Sequence, residues 1–424
     1  MQVTALATSS ADQDNCNVER SVDGRSSQAA PVKPRITVFT RFYPPAYLGG
    51  GPARSVHALV EALAGDFRFS VVTSAFDADV TTEPMKSIEP CRWSTRGPAT
   101  IWYESRQRMI ARTTARLIRQ TEPQLLFLNS LFDYRFTILP LLIARTVCRK
   151  VPVVLAPRGE LSAGALSLKR QKKHSFIVAF RLLKLHKAVI WRASTSREKA
   201  DIERVFGIKV KCHIAGDLRA GLFSDEVVHR PSRLISDDPR SGSLVFFSRI
   251  VPKKNVATAI RAMQLVRGNA YLSIAGPIED TRYWDQCLQL INDMPDPRRV
   301  SYVGTIPPDE VVGFLNRFDL FVFPTLGENF GHVILESLAA GTPVIVGSDT
   351  PWQHVETSGA GWVCDPTKPE AIAELIENFL GLDKDAHMRM RAAARELALR
   401  ILSDPSGVNA YRSMFRVLTS SESS

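Results

Sequence analysis

At 424 residues the chain is too long for one ordinary hydrophobic core, and two domains are the default. Apolar residues make up 45% and charged residues 23%, a globular balance that excludes a fibrous or wholly disordered chain. The net charge of +11 is uneven: residues 1–220 hold 34 Lys and Arg against 18 Asp and Glu, and the remainder 20 against 25, so the halves are expected to meet different partners.

Residues 1–33 are polar, Ser-rich and unpatterned, and are expected to form a disordered tail. The start MQVTALATSSADQDNC lacks the basic block and apolar run of a signal peptide, and no later apolar run reaches the roughly eighteen residues of a membrane span. Cys16, Cys91, Cys148, Cys212, Cys287 and Cys364 are scattered, without a C-x-x-C pair or zinc spacing. With no export signal, that pattern points to a reducing cytoplasm.

Arg35 to Thr40 reads as a strand, followed by a loop with Pro44, Pro45 and the run Gly49-Gly50-Gly51-Pro52. Val56, Leu59, Val60 and Leu63 recur at helical spacing, so the glycines open a helix, where exposed N–H groups suit an anion. Arg54 adds a charge there. Phe69–Thr73, Leu125–Leu128 and Val153–Leu155 read as further buried strands with helices between them. Asn129-Ser130 ends one of these strands, and Ala156-Pro157-Arg158-Gly159-Glu160-Leu161 follows another. Arg158 is permanently charged and cannot act as a base; it is expected to pair with Glu160 or with a phosphate.

The densest charge lies in Leu168-Lys169-Arg170-Gln171-Lys172-Lys173-His174, continuing through Arg181, Lys184 and Lys187. Phe176, Ile177, Phe180, Leu182, Leu183 and Leu185 interleave with it, as expected either of an anionic-membrane surface segment or of a core helix with a solvated basic face. Thr195-Ser196 with Glu198 is expected to cap a helix beginning near Lys199. Residues 223–242 are polar, with Pro231, Asp237-Asp238-Pro239 and Ser241-Gly242, and are expected to be a linker.

The alternation then restarts with the strand Ser243–Ser248, a helix through Ile260 and Met263, and strands Tyr271–Ala275, Ser301–Val303, Leu320–Phe323 and Val344–Val346. Two runs of this kind predict two parallel, doubly wound sheets. Directly after the first strand of the second run stands Ser248-Arg249-Ile250-Val251-Pro252-Lys253-Lys254-Asn255. Arg249 offers a planar fork to phosphate oxygens and Lys254 a mobile point charge, the permanent cations that a phosphoryl leaving group needs.

Phe318 to Pro343, FDLFVFPTLGENFGHVILESLAAGTP, reads as a buried strand, a glycine turn and an amphipathic helix stopped by Gly341 and Pro343. Glu328 falls in the loop at the strand's carboxyl end and Glu336 eight positions later, inside the helix, so the two should bracket a ligand. In open α/β sheets this crevice is where ligands bind. His332 in this turn is expected to pack or point outward, and Thr350-Pro351-Trp352 to form a packed loop after the next strand.

Glu328, Asn329, Phe330, Gly331 and Glu336, followed by Gly341-Thr342-Pro343-Val344, resemble the E-x7-E signature of retaining GT-B glycosyltransferases, specifically glycosyltransferase family 4. The resemblance covers nearly the whole chain from about residue 34 and implies a GT-B fold, two Rossmann-like domains facing a central cleft. Arg249 and Lys254 resemble the family's donor-phosphate motif, and Gly49-Gly50-Gly51-Pro52 its N-terminal glycine loop. Carried over, Glu328 faces the donor sugar hydroxyls, Glu336 binds the ribose, and backbone amides around Phe330, Gly331 and His332 hold the phosphates and sugar, with Asn329, Gly50 and Gly51 on the same donor. Arg158 stands where many relatives have a His that binds and polarises the donor sugar; with Glu160 and Asn129 it is assigned to the acceptor or sugar side.

The implied organisation is a tail (1–33), an acceptor domain (34–222), a linker (223–242), a donor-nucleotide domain (243–403) and a crossover helix and tail (404–424), with Ser403 to Gly407 crossing and Val408 to Val417 returning to the first domain. The implied reaction is retaining, metal-independent transfer of a hexose from a UDP-, GDP- or similar nucleotide sugar to a glycan or lipid-linked acceptor in surface polysaccharide assembly. Attack comes on the face of the leaving group, whose phosphate accepts the proton, without a dedicated protein base or a cofactor. A peripheral position at the inner face of the cell membrane, through 168–187, and no nucleic-acid partner are expected. The alternative is a basic protein binding an anionic surface or nucleic acid on a catalytically degenerate GT-B fold; no recognition motif supports it. An oxidoreductase is disfavoured because no G-x-G-x-x-G fingerprint appears.

Overall fold

The computed structural model describes residues 32–46, 50–77, 83–105, 110–167, 170–218 and 241–420. The expectations for the tail over 1–31, for Gly49, for Leu168 and Lys169, for the linker over 223–240 and for residues 421–424 lie outside the described residues. Met1–Lys33 and Pro34–Ser424 are separate units, and both sheets belong to the second.

The first sheet is built from β1 (Arg35–Phe39), β2 (Arg68–Ser74), β3 (Trp93–Arg96), β4 (Ala99–Glu104), β5 (Leu125–Asn129), β6 (Val153–Ala156), β7 (Ile190–Ala193) and β8 (Cys212–Ile214). Their order is β3-β4-β2-β1-β5-β6-β7-β8, parallel throughout except for the antiparallel edge pair β3–β4. The second sheet contains β9 (Ser241–Phe247), β10 (Asn269–Ala275), β11 (Val300–Tyr302), β12 (Leu320–Phe323), β13 (Val344–Gly347) and β14 (Gly361–Cys364), in the parallel order β11-β10-β9-β12-β13-β14. This is the doubly wound α/β architecture expected. β9 begins at Ser241, inside the stretch expected to be linker.

The central strands are apolar because helices cover both faces. Leu125 to Leu128 and Leu320 to Phe323 are buried end to end. The strand order reverses between β1 and β5 in one sheet and between β9 and β12 in the other. Such switch points open a crevice at the carboxyl ends of the strands. β9 and β12 lead directly into the segments carrying Arg249, Lys254 and Glu328; β1 precedes the segment carrying Gly50 and Gly51, and β5 ends at Asn129.

The helix Lys384–Leu402 packs into the second core through Ala394, Leu397 and Ala398. The next helix, Ser406–Ser420, gives Tyr411, Met414 and Phe415 to the core of the first sheet. Phe415 meets Phe67 and Phe127 edge-on at 5.6 and 6.0 Å, and Arg412 and Arg416 pair with Asp66 at 2.9 and 2.6 Å. The chain end is thereby pinned to the first domain.

Candidate functional site

The loop after β9 is held by its own backbone. Pro252–Lys254 forms a single 3-10 turn, and Asn255 ends it at φ 62°, a conformation that Asn tolerates. The buried Asn255 amide donates to the carbonyls of Pro324 (2.9 Å) and Pro366 (2.7 Å), and Leu326 N–H donates to Lys253 O at 3.0 Å. This stitching sets Lys254 against the end of β12, where its ammonium forms an ion pair with Glu328. Thr325 Oγ1 lies 3.3 Å from the same carboxylate, and Glu328 N–H donates to Asp349 O at 3.0 Å.

The electrostatics follow from that enclosure. Burial would raise the Glu328 carboxyl, but Lys254, Lys253 and Arg249 outweigh it and hold the group below the ordinary carboxylate range. Burial also pulls the Lys254 ammonium down, against the attraction of Glu328. Arg249 is less enclosed and donates to both oxygens of Glu279 at 3.1 Å.

Gly331 caps the helix His332–Ala339 at φ 83°, which a side chain rarely adopts, and no side chain caps the helix start. The positive end of the helix dipole at such a start suits an anion. Trp352, buried, donates its indole N–H to Phe330 O and packs on the Phe330 ring at 5.5 Å, so the Thr350-Pro351-Trp352 loop supports the turn from below.

The first domain closes on this turn through the helix Gly51–Leu63. A Cβ on Gly51 would come within 2.9 Å of the His332 ring, so the two domains approach at a glycine. His332 Nε2 lies 3.0 Å from Ser55 Oγ, and Arg54 forms an ion pair with Glu336. His332 thus bridges the domains rather than pointing outward.

Behind this contact lies a buried network. Arg158 and Arg192 both pair with Oδ1 of Asp217, Arg192 at 2.6 Å. Arg158 Nε donates to Asn129 Oδ1 at 2.6 Å, Asn129 Nδ2 to Thr40 Oγ1 at 3.1 Å, and the Arg192 guanidinium lies over the Tyr411 ring at 5.0 Å. Burial acts to raise the Asp217 carboxyl, but Arg192, Arg158 and His332 hold it well below the usual range. Glu198 accepts from Gly159 N–H (2.5 Å) and from the N–H and hydroxyl of Ser194 (both 2.7 Å). Its own N–H donates to Thr195 Oγ1 at 3.1 Å, capping the helix Ser196–Phe206 as expected.

A cavity of about 240 Å³ lies between the domains. Gly50, Gly51, Arg54 and Arg158 line it from the first domain, and Arg249, Lys254, Glu328 and residues 329–333 from the second. Of the residues expected at the donor, Glu336 is not on this wall; it sits behind Arg54, only 4% exposed. Asn129 and Glu160, expected on the acceptor or sugar side, also stand one layer back. Asn129 orients Arg158, while Glu160 accepts from Ser130 Oγ (2.7 Å), Leu131 N–H (2.5 Å) and Phe132 N–H (3.3 Å). The expected Arg158–Glu160 pairing is replaced by Arg158–Asp217, because those turn donors already occupy Glu160. Asp217, Arg192 and Ser55 were not anticipated: each reaches the site through the fold, and no local pattern marks them. Among the described residues, no group of three His, Cys, Asp or Glu is close enough to hold a metal ion.

Residues 235–397 match the family model described as glycosyl transferases group 1. An uncharacterized glycosyltransferase, MJ1607, of Methanocaldococcus jannaschii is 32% identical over 164 residues, covering 37% of this chain and 40% of that protein. The GDP-mannose-dependent alpha-(1-6)-phosphatidylinositol monomannoside mannosyltransferase of Mycobacterium tuberculosis is 30% identical over 166 residues, covering 36% of this chain and 42% of that protein. The match therefore spans less than half the length of these curated relatives. Among solved structures, Anabaena Alr3699/HepE in complex with UDP and glucose superposes with a TM-score of 0.64 at 15% identity, covering 91% of this chain and 99% of that one. Sucrose-phosphate synthase from Thermosynechococcus elongatus superposes with a TM-score of 0.69 at 16% identity, covering 91% and 100%. The fold is GT-B.

Proposed function

We propose that the chain is a retaining glycosyltransferase that moves a hexose from a nucleotide-diphosphate sugar to a hydroxyl of a glycan or lipid-linked acceptor in surface polysaccharide assembly. One observation carries the reading: Arg249, Lys254 and Glu328 meet an uncapped helix start in one interdomain cavity, at the switch point of the second sheet. The match of residues 235–397 and the family 4 resemblance support it. Arg249, Lys254 and the N–H groups around Gly331 and His332 would hold the diphosphate, Glu328 and Asn329 the sugar, and Glu336 the ribose. The bond from the anomeric carbon to the diphosphate breaks as the bond to the acceptor oxygen forms on the same face, and the acceptor proton passes to the departing phosphate oxygen. Fixed cations stabilise the charge that gathers there.

Those cations also motivate metal independence; complete loss of activity in chelator would sink that part. UDP and GDP are the first donor bases to try, given the names of the similar proteins. The inner membrane face is the proposed location. Leu182 and Leu183 are exposed beside the exposed Arg181 and Lys184 at the end of the helix Arg170–Leu182, whereas Phe180 and Leu185 are buried. Failure of the protein to bind anionic vesicles at low salt would count against that location.

The test of the reaction class is the thermal midpoint of the purified protein with a panel of nucleoside diphosphates and sugar nucleotides, since a native-state ligand raises it by mass action. A rise with one base, lost in Glu336→Ala and Arg249→Ala, is expected. No rise across the panel would favour a degenerate fold with an anion-binding role.

A further inference from the structure

Arg54 has no part in that chemistry, yet it lines the cavity in front of Glu336, with which it forms an ion pair. We propose that Arg54 is a ligand-exchanging residue: it masks Glu336 through their ion pair and passes to the diphosphate when a nucleotide enters. The proposal rests on the donor-nucleotide reading of this cavity.

Arg54 comes from the first turn of the helix Gly51–Leu63 and lines the cavity, whereas its partner Glu336 belongs to the other domain and lies behind it. Arg54 takes Oε1 of Glu336, and the buried Oε2 has no hydrogen-bond partner among the described residues. A buried carboxylate oxygen left unsatisfied is costly, and a ligand offering hydroxyl donors would relieve it. A ribose diol is such a ligand, but it cannot reach Glu336 while the guanidinium stands between them.

The route out for Arg54 is short. Glu336 is one helical turn beyond His332, about 6 Å along the axis from the N–H groups proposed for the diphosphate. A long, flexible side chain spans that distance without movement of its backbone, and a phosphate offers the planar guanidinium charge-assisted bonds of the kind it leaves. The exchange couples the two ends of the ligand. A diphosphate draws Arg54 away and unmasks Glu336, so ribose and phosphate help each other to bind; a bare nucleoside must displace Arg54 with nothing to receive it.

Calorimetric titration of the wild type, Arg54→Ala and Arg54→Lys with UDP and GDP, and displacement of the bound diphosphate by uridine or guanosine up to millimolar concentrations, separate the cases. Arg54→Ala is expected to weaken the diphosphate by about tenfold, the loss of one charge-assisted contact, and to tighten the nucleoside by about threefold. Arg54→Lys is expected to fall between. Equal weakening of both ligands would reduce Arg54 to a strut that closes the cleft and would overturn the proposal. So would no change in either, or a nucleoside that still fails to displace the diphosphate from Arg54→Ala. A wild type that binds neither diphosphate would overturn the donor reading itself, whereas wild-type binding with unselective variants overturns only the role of Arg54.

Discussion

On the first-domain side of the cleft, Arg158 on the wall and Arg192 behind it are 4% and 0% exposed and share one oxygen of Asp217. On the second-domain wall, Arg249 is 40% exposed and faces Glu279, itself 33% exposed. The first arrangement is locked: neither cation can leave without stranding a buried charge. The second is partly solvated and can exchange its carboxylate for an incoming phosphate at small cost. One wall therefore fixes the geometry of the cavity, and the other holds charge that an incoming anion could take up.

The largest expected effect breaks the locked wall. Asp217→Ala leaves two buried guanidinium groups uncompensated and should cost about 3–5 kcal/mol in chemical denaturation. Arg249→Ala, on the exchangeable wall, should change stability by less than about 1 kcal/mol while weakening nucleotide binding by about tenfold, measured by titration calorimetry. If the two variants lost stability equally, the contrast between the walls would be gone.

Acid sharpens the contrast within the first domain. Asp217 is held below its ordinary value, so the unfolded chain binds more protons in the window between the two values and stability rises with pH there. Its contribution is complete above the ordinary carboxylate range, about pH 4, and is lost as pH falls through the folded value. Asp217→Asn should therefore differ most from wild type near neutrality, the gap narrowing in acid. Glu160 is pushed the other way by burial, only partly opposed by its bonds to Leu131, Ser130 and Phe132. Its contribution is present below the unfolded value and is lost as pH rises, so Glu160→Gln should gain on wild type above about pH 4. Denaturation midpoints of both variants across pH 3 to 8 give the two signs. The smallest effect is expected at the rim: Asp66→Asn removes two partly exposed pairs to the final helix and should cost less than about 1 kcal/mol.

The second-domain wall was legible in the sequence because its parts are contiguous. β12, the turn with Glu328 and Gly331, and the helix with Glu336 lie within one stretch, and Arg249 and Lys254 follow directly on β9. The first-domain wall was harder to read. Arg192 sits within β7, where a buried charge breaks the apolar run that marks a strand, and Asp217 lies 59 positions from Arg158. β3 is polar and half exposed, and β8 is only three residues long, so neither carries a clear strand period. The local pattern placed Glu336 correctly on its helix, but only the approach of the other domain sets Arg54 in front of it.

A crystal structure of the protein with the nucleoside diphosphate that stabilises it would show whether the interdomain cavity is a donor-nucleotide site. The diphosphate is expected on the N–H groups around Gly331 and His332, held by Arg249 and Lys254, with the ribose at Glu336. A nucleotide bound elsewhere, or with its phosphates away from Arg249 and Lys254, would contradict that reading.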